Sequence, residues 1–441
     1  MIRRLTLACL LVAGSGPSAA AQTTVLSTSP TLAELLQNVY GPHGLTVESE
    51  QVLPDGSTHS AHFNGGFQSE FGRINVALVR QLGALPIPSP ASGFTYAFDN
   101  STGTFVRSTQ SFGPILADRA ETIGRGRLAF GYGLQQFSFE TFDGLRLSHI
   151  PAVFTHDDFL LGGGRADVIT TNNAITASVS QSTLSLTYGA TERLDISFGV
   201  PLIRTSLEVV SDATIHRIGT GGSVAIHFFR DPNAPGTYGN ERSFIASGSA
   251  AGLGDVIVRG KGTVFRTARA GLAIGIETRL PTGQEQNLLG SGSFGVKGFG
   301  AVSATFRRVT PHVNGAYQWN GGSVLAGDVA ANVKGDLPDE FSYVVGADVG
   351  IEKRLSLAFD VLGRHSKDAS KLSRSTFTAS PAESFSDIAF SVASLNVVSG
   401  AVGMKANIAG TMLVTFNLQF KLNEAGVRAK VAPLVGLEYS F

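Results

Sequence analysis

Cysteine, charge, tryptophan and long apolar runs are all scarce in this 441-residue chain. The one cysteine, Cys9, lies among the first 21 residues, and Trp319 is the one tryptophan. Residues 22–441 therefore hold no disulfide and offer no thiolate chemistry. No stretch reaches the roughly eighteen consecutive apolar residues that a membrane-crossing helix needs. Charged residues make up only 15 % of the chain. Setting aside Arg3 and Arg4 leaves 32 basic residues against 34 acidic ones. That near-balance gives no reason to expect nucleic acid or long-range electrostatic steering. Glycine is abundant instead: 53 residues, where an average composition of about 7 % would give far fewer.

The first 21 residues read as a signal peptide. Arg3 and Arg4 form a basic start, and Leu5 to Ala13 an apolar core too short to span. Gly14-Ser15-Gly16 and Pro17-Ser18 lead to Ala19-Ala20-Ala21, an A-x-A cleavage site before Gln22. Cys9 sits inside the apolar core with Thr6 where a lipoprotein signal wants leucine, which argues against lipidation. The expectation is an exported protein.

What the chain has in quantity is alternation. In 411–422, Met412, Val414, Phe416, Leu418, Phe420 and Leu422 share one parity, and Thr411, Thr415, Asn417, Gln419 and Lys421 the other. Val431, Pro433, Val435, Leu437, Tyr439 and Phe441 repeat the pattern at the end. A period of two is a strand with one apolar face, and about ten to twelve residues cross a bilayer when tilted. Twelve such segments are expected: 126–140, 175–189, 193–208, 254–267, 270–280, 297–308, 311–320, 341–352, 354–364, 388–405, 411–422 and 430–441. The links between them alternate short and long, with 141–174, 209–253, 281–296, 321–340 and 365–387 long and 423–429 modest. Outer-membrane barrels show this asymmetry, with short periplasmic turns and long external loops. An even strand number returns the chain to the side where it began. Parity also separates charge from grease: Val256, Val258 and Val264 oppose Asp255, Arg259 and Lys261, and Leu357, Phe359 and Val361 oppose Ser356, Asp360 and Arg364. Arg or Lys facing lipid at mid-depth costs about 2–4 kcal/mol, so the polar parity belongs to an enclosed lumen.

Residues 22–124 lack this pattern. A helix of about ten residues should open near Ser29-Pro30-Thr31. Either Ser29 caps it, with Pro30 first, or Thr31 caps it, with Glu34 completing a capping box. Leu32, Leu35, Leu36 and Val39 form its apolar face, and Gly41-Pro42 ends it. After the Pro-rich 86–90, Gly93–Phe98 and Thr104–Arg107 flank a turn and read as a hairpin. The whole region is either a plug inside the barrel or a periplasmic extension.

Two kinds of resemblance add to this. The aromatic end, Leu437, Tyr439 and Phe441, resembles the assembly signal of bacterial outer-membrane barrels. Gly252-Leu253-Gly254-Asp255, then Arg259-Gly260-Lys261, then Pro281-Thr282-Gly283-Gln284, with Pro311 to Tyr317 further on, resembles the outer-membrane "transporter" family associated with the meta-pathway of phenol degradation. The resemblance covers about 126–441. Gln284 departs from the acid that family places there. It implies passage of small, aromatic or apolar compounds.

Other motifs support bland readings. Gly290-Ser291-Gly292-Ser293-Phe294-Gly295 matches G-x-G-x-x-G, but strand follows it, so no helix N-terminus is present to hold a phosphate, and a flexible external loop is expected. His59 and His62 lack a third ligand, and His156-Asp157-Asp158 lacks the spacing of a calcium loop. His312 shares the lumen parity with Asn314, but no G-x-S-x-G element occurs to suggest a hydrolase.

The expected fold is thus all-β: a transmembrane antiparallel barrel of about 12 strands over 125–441, after a signal peptide (1–21) and a periplasmic or plug region (22–124). The expected role is an outer-membrane channel for passive uptake of small molecules, with no catalytic residues, cofactor or metal. Alternatives are a non-conducting structural or surface-recognition barrel and an outer-membrane hydrolase. Arg259, Lys261, Glu277, Arg279, Asp348 and Asp360 are the lumen candidates for selectivity, and pairing across the barrel is their structural alternative. Expected partners are outer-membrane lipid, the barrel assembly machinery at the last strand, and a small solute.

Overall fold

The computed structural model describes residues 31–41, 44–52, 111–155, 167–231, 236–329, 331–379 and 383–441 in full, with Gly56, Ile74, Ala77 and Leu78 singly, and the backbone at 24–27, 63–64, 96–99, 104–107 and 156. The signal segment, Ser29-Pro30, His59, His62, 86–90 and Asp157-Asp158 lie outside the described residues.

Twelve antiparallel strands close into one barrel. They are β1 (Leu128–Phe142), β2 (Val168–Thr191), β3 (Leu194–His216), β4 in two pieces (Glu241–Leu253 and Val256–Arg266), β5 (Ala270–Leu280), β6 (Gly295–Ala304), β7 (Val309–Asn320), β8 (Glu340–Glu352), β9 (Leu355–Ala379), β10 (Glu383–Ala409), β11 (Met412–Lys421) and β12 (Val431–Ser440). Each pairs with its neighbour in sequence. β12 closes on β1 with Leu437 opposite Tyr132, and Phe441 N–H donates to the Leu128 carbonyl. Around the lipid-facing belt the sheet closes on itself and leaves no free edge, while on the tall side 24–27 pairs in parallel with Ser243–Ala246 of β4. All twelve expected crossings are present. The hairpin of 96–99 with 104–107 also forms.

Two expectations are corrected. Much of 209–253 and 365–387 is strand: β3 runs to His216, β4 starts at Glu241, and β9 and β10 continue until Ala379 pairs with Glu383. Strict alternation of short and long links therefore fails at β9–β10. The outer parts of these strands expose polar side chains at both parities (Lys371, Arg374, Thr376), so no apolar face marked them. The helix is the second correction. α1 (Leu32–Leu35) is one turn, continued by turns to Tyr40. Thr31 Oγ1 bonds the Glu34 carboxylate at 2.8 Å in place of a backbone N–H. So short a helix is held by packing, not by its own hydrogen bonds.

The wall has two regimes, and β3 shows both. From Leu194 to Leu202 its outward residues are Leu194, Ile196, Phe198, Val200 and Leu202, and its inward ones Asp195, Ser197, Gly199 and Pro201. Beyond, the outward residues are Arg204, Ser206 and Glu208, and the inward ones Ile203, Leu207 and Val209. β1 changes between Leu134 and Phe137, and β2 between Leu184 and Val179. The side of the short turns is thus greasy outside and polar inside. The tall side is polar outside and encloses an apolar core.

That core is filled by the N-terminal region. Leu32, Leu35, Leu36 and Val39 pack with Phe137, Phe139, Ile175, Leu207, Val209 and Phe244. Gly248 lets α1 approach, since a Cβ there would meet Leu32 at 2.7 Å. Burying each such aliphatic side chain contributes about 1.5–3 kcal/mol. Tyr40 sits edge-on to Phe154 and Phe244, with its hydroxyl 2.8 Å from Ser211 Oγ and donating to Asn173 Oδ1 at 3.1 Å. Burial pushes this phenol up to about 12, against the hydroxyls of Ser211 and Thr171, which lower it.

Candidate functional site

The polar half of the lumen is occupied by residues 111–124, which have no helix or strand. Backbone without a ladder needs other partners when buried, and here the barrel wall supplies them. Phe112 N–H donates to Ser356 Oγ at 2.9 Å, and Ala120 N–H to Ser303 Oγ at 3.1 Å. Asp118 exchanges two bonds with Asn314, at 2.6 and 3.0 Å. Ile123 N–H faces the Asp195 carboxylate at 3.2 Å. Thr263 Oγ1 donates to the Ala120 carbonyl at 2.5 Å. The polar lumen face is therefore complementary to the main chain of one internal segment.

The charges complete this fastening. Arg119, fully buried, pairs with Asp348 at 2.9 Å, and Ser111 donates to the same carboxylate. His312 lies between Asp348 (3.6 Å) and Asp360 (2.7 Å). Lys261 Nζ donates to the carbonyls of Arg119 (3.2 Å) and Glu121 (2.8 Å) and lies 3.9 Å from Asp195. Arg259 pairs with Asp118, lies 3.7 Å from Glu277, and stacks 4.1 Å over the Phe299 ring. Glu277 also pairs with Lys297. Of the six candidates read from the sequence, Arg259, Lys261 and Asp348 touch 111–124, and Asp360 is linked to Asp348 through His312. Glu277 lines the space above.

Arg279 lies elsewhere, 3.8 Å from Asp255 and 2.7 Å from Asn320 Oδ1. It braces the place where the family-like motifs meet. Asp255 accepts from Gly283 N–H (3.1 Å) and from Ser291 N–H and Oγ (both 2.7 Å). Thr282 Oγ1 donates to the Gly254 carbonyl at 2.6 Å. Gly290 is needed there because a Cβ would strike the Asp255 carboxylate. The 290–295 stretch, expected as a flexible loop, is instead folded onto Asp255 with Ser291 and Ser293 buried. These motifs staple the place where β4 breaks, level with Pro201 and Leu202 of β3.

Between 111–124 and the apolar core lies a cavity with about 1370 Å³ of empty space, part of it open to solvent. Leu116 and Asp118 of the internal segment face it. Around it stand Arg259, Glu277, Lys297, Gln318, Glu340, Arg364, Gln419 and Arg428, with Phe299, Leu362 and Val397 as apolar wall. The sequence reading missed Asp118, Arg119, Arg428 and Lys405, whose Nζ donates to the Phe112 carbonyl at 3.5 Å. Asp118-Arg119 is a charged pair in an otherwise weakly polar stretch, a signal that could have marked it. Arg428 sits in a link and carried none.

At the end of β12, Leu437, Tyr439 and Phe441 point outward, with the Tyr439 and Phe441 rings packed edge to face at 4.6 Å.

No family model matches the chain, and no curated protein sequence does. Solved structures with related shape are barrels. An outer membrane channel from Pseudomonas putida F1 is 12 % identical, matches 73 % of this chain and 98 % of its own, and has a TM-score of 0.44. A Pseudomonas aeruginosa FadL homologue is 9 % identical over 79 % of this chain and 94 % of its own, with a TM-score of 0.30. The Ralstonia pickettii toluene transporter TbuX is 12 % identical over 72 % and 90 %, with a TM-score of 0.32.

Proposed function

We propose that this protein is a bacterial outer-membrane channel for passive uptake of small molecules, with residues 111–124 as its closure. The lipid-facing belt, the signal segment and the aromatic last strand support that location, and lipid and the barrel assembly machinery follow as partners. The observation that carries the reading is the cavity: a solute-sized space bounded on one side by a segment that no ladder holds. A purely structural barrel has no need of it. Small aromatic or apolar solutes, as the motif resemblance implies, suit its mixed wall.

The segment is fastened by side chains, so it can be unfastened by them. Removing Arg119 takes the 2.9 Å guanidinium partner from Asp348 and leaves it Ser111 and His312; breaking a buried pair outright costs about 3–5 kcal/mol, which is the upper bound here. Each 1.4 kcal/mol lost by the closed state raises the open fraction about ten-fold. In planar bilayers the wild type should show rare openings, and Arg119→Ala should show them at least ten times more often. Silence in both would leave the second reading, a non-conducting wall, which the packed apolar core of the tall half favours.

A further inference from the structure

Four cationic groups line the cavity, Arg259, Lys297, Arg364 and Arg428, against three carboxylates, Asp118, Glu277 and Glu340. Arg259 and Lys297 share Asp118 and Glu277, and Arg364 lies 3.6 Å from Glu340. Arg428 is the surplus. It is only 5 % exposed, and among the described residues no carboxylate pairs with it. The nearest acid in sequence, Glu424, is taken by Lys421 at 2.7 Å and Thr141 at 3.1 Å. Two bonds fix the guanidinium: Nη2 donates to the Val398 carbonyl at 2.8 Å and to Ser399 Oγ at 2.7 Å. Among the described residues its Nε–H has no partner. Arg364 stands on the other side of the same stretch, opposite Val397 in the ladder.

A buried guanidinium held in place but left without an anion is costly unless a ligand supplies one. We propose that Arg428, seconded by Arg364, is the carboxylate-binding subsite of this cavity, and that its solutes are small monocarboxylates with an apolar body. A single surplus charge matches a monoanion, and the flat fork of arginine matches a carboxylate. The apolar body would rest on Leu362, Val397 and Phe299, which line the same space. The inference rests on the uptake reading and names its solute class.

The test is calorimetric titration of the detergent-solubilised full chain, at constant ionic strength, with benzoate and with benzyl alcohol, a neutral molecule of similar size. Charge-assisted hydrogen bonds predict that benzoate binds at least about ten times tighter. Arg428→Gln should bring the two within about two-fold, while the barrel keeps its heat-modifiable migration in SDS. Equal binding by the wild type, or a preference that survives Arg428→Gln, overturns the proposal. If Arg428→Gln does not fold, Arg364→Gln is titrated instead. A drop in the benzoate preference of at least about three-fold is then expected, and an unchanged preference overturns it. No transport is read, so these results concern the subsite alone. A protein that binds benzoate yet stays silent in bilayers would overturn the uptake reading instead.

Discussion

The two ends of β3 are built from the same alternation turned inside out. Near the short turns, solvent for the outer face is lipid, and the interior must satisfy the bare backbone of 111–124. Asp195 and Ser197 therefore point in and Phe198 out. Past Leu202 the outside meets water, and the interior is an ordinary packed core, so Leu207 points in and Ser206 out. One strand passes from membrane protein to soluble protein without leaving its ladder. The barrel thus meets the N-terminal part in two ways: the lower half turns a polar lumen to 111–124, and the upper half packs Leu32, Leu35, Leu36 and Val39 into an apolar core. Hydrogen bonds and ion pairs hold the first contact, and apolar burial holds the second.

The sharpest contrast lies between neighbours on β3. Leu207 is 1 % exposed in the tall core, and truncation to alanine there should cost about 2–5 kcal/mol, as cavities in packed interiors do. Leu202, five positions earlier, faces lipid, which can refill the space. Urea unfolding in lipid vesicles should find Leu202→Ala less than half as costly. Equal costs would mean that the upper interior is not a packed core.

Reversing the chemistry gives the next effect. Phe198→Arg places a charge in the middle of the greasy belt and should cost about 2–4 kcal/mol, whereas Ser206→Arg on the same face should stay within about 0.5 kcal/mol. If the arginine is tolerated equally at both places, the belt does not end near Leu202.

The sequence carried the lower half almost whole, because lipid demands a run of outward apolar residues that period-two reading detects. It also held a mark of the inversion: Leu202-Ile203 are adjacent apolar residues, where the parity of grease changes. The tall walls were lost as loops because their interior is not uniformly apolar. Asn173 and Ser211 point inward to meet the Tyr40 hydroxyl, which blurs the alternation. The sequence left open whether 22–124 lies inside the barrel, and nothing in it marked 111–124 as the stretch that meets the lumen charges. The partners of that stretch, such as Asp348 for Arg119, lie hundreds of residues away, and its backbone has no period. Lumen charges could be placed inside the barrel by parity, but parity does not say what they hold.

The smallest effect concerns a buried carboxylate of the tall half, Asp167. It accepts from Gly219 N–H (2.7 Å) and Thr220 N–H (3.1 Å) and lies 2.7 Å from His227 Nδ1, tying the β3–β4 connection to the start of β2. Burial raises its pKa, but the His227 ring, the Thr220 hydroxyl and the two backbone donors outweigh burial and hold it at about 2. A carboxyl lowered in the folded state stabilises above its unfolded value of about 3.9, and that contribution fades as pH falls towards 2. The tie lies above the membrane, so its loss should loosen 217–240 without opening the barrel. Limited proteolysis of that connection should quicken between pH 4 and pH 2 in the wild type. Asp167→Asn should be cut faster at pH 5 and show a flatter acid response. An acid response as steep in Asp167→Asn as in the wild type would assign the acid sensitivity of this connection to another group.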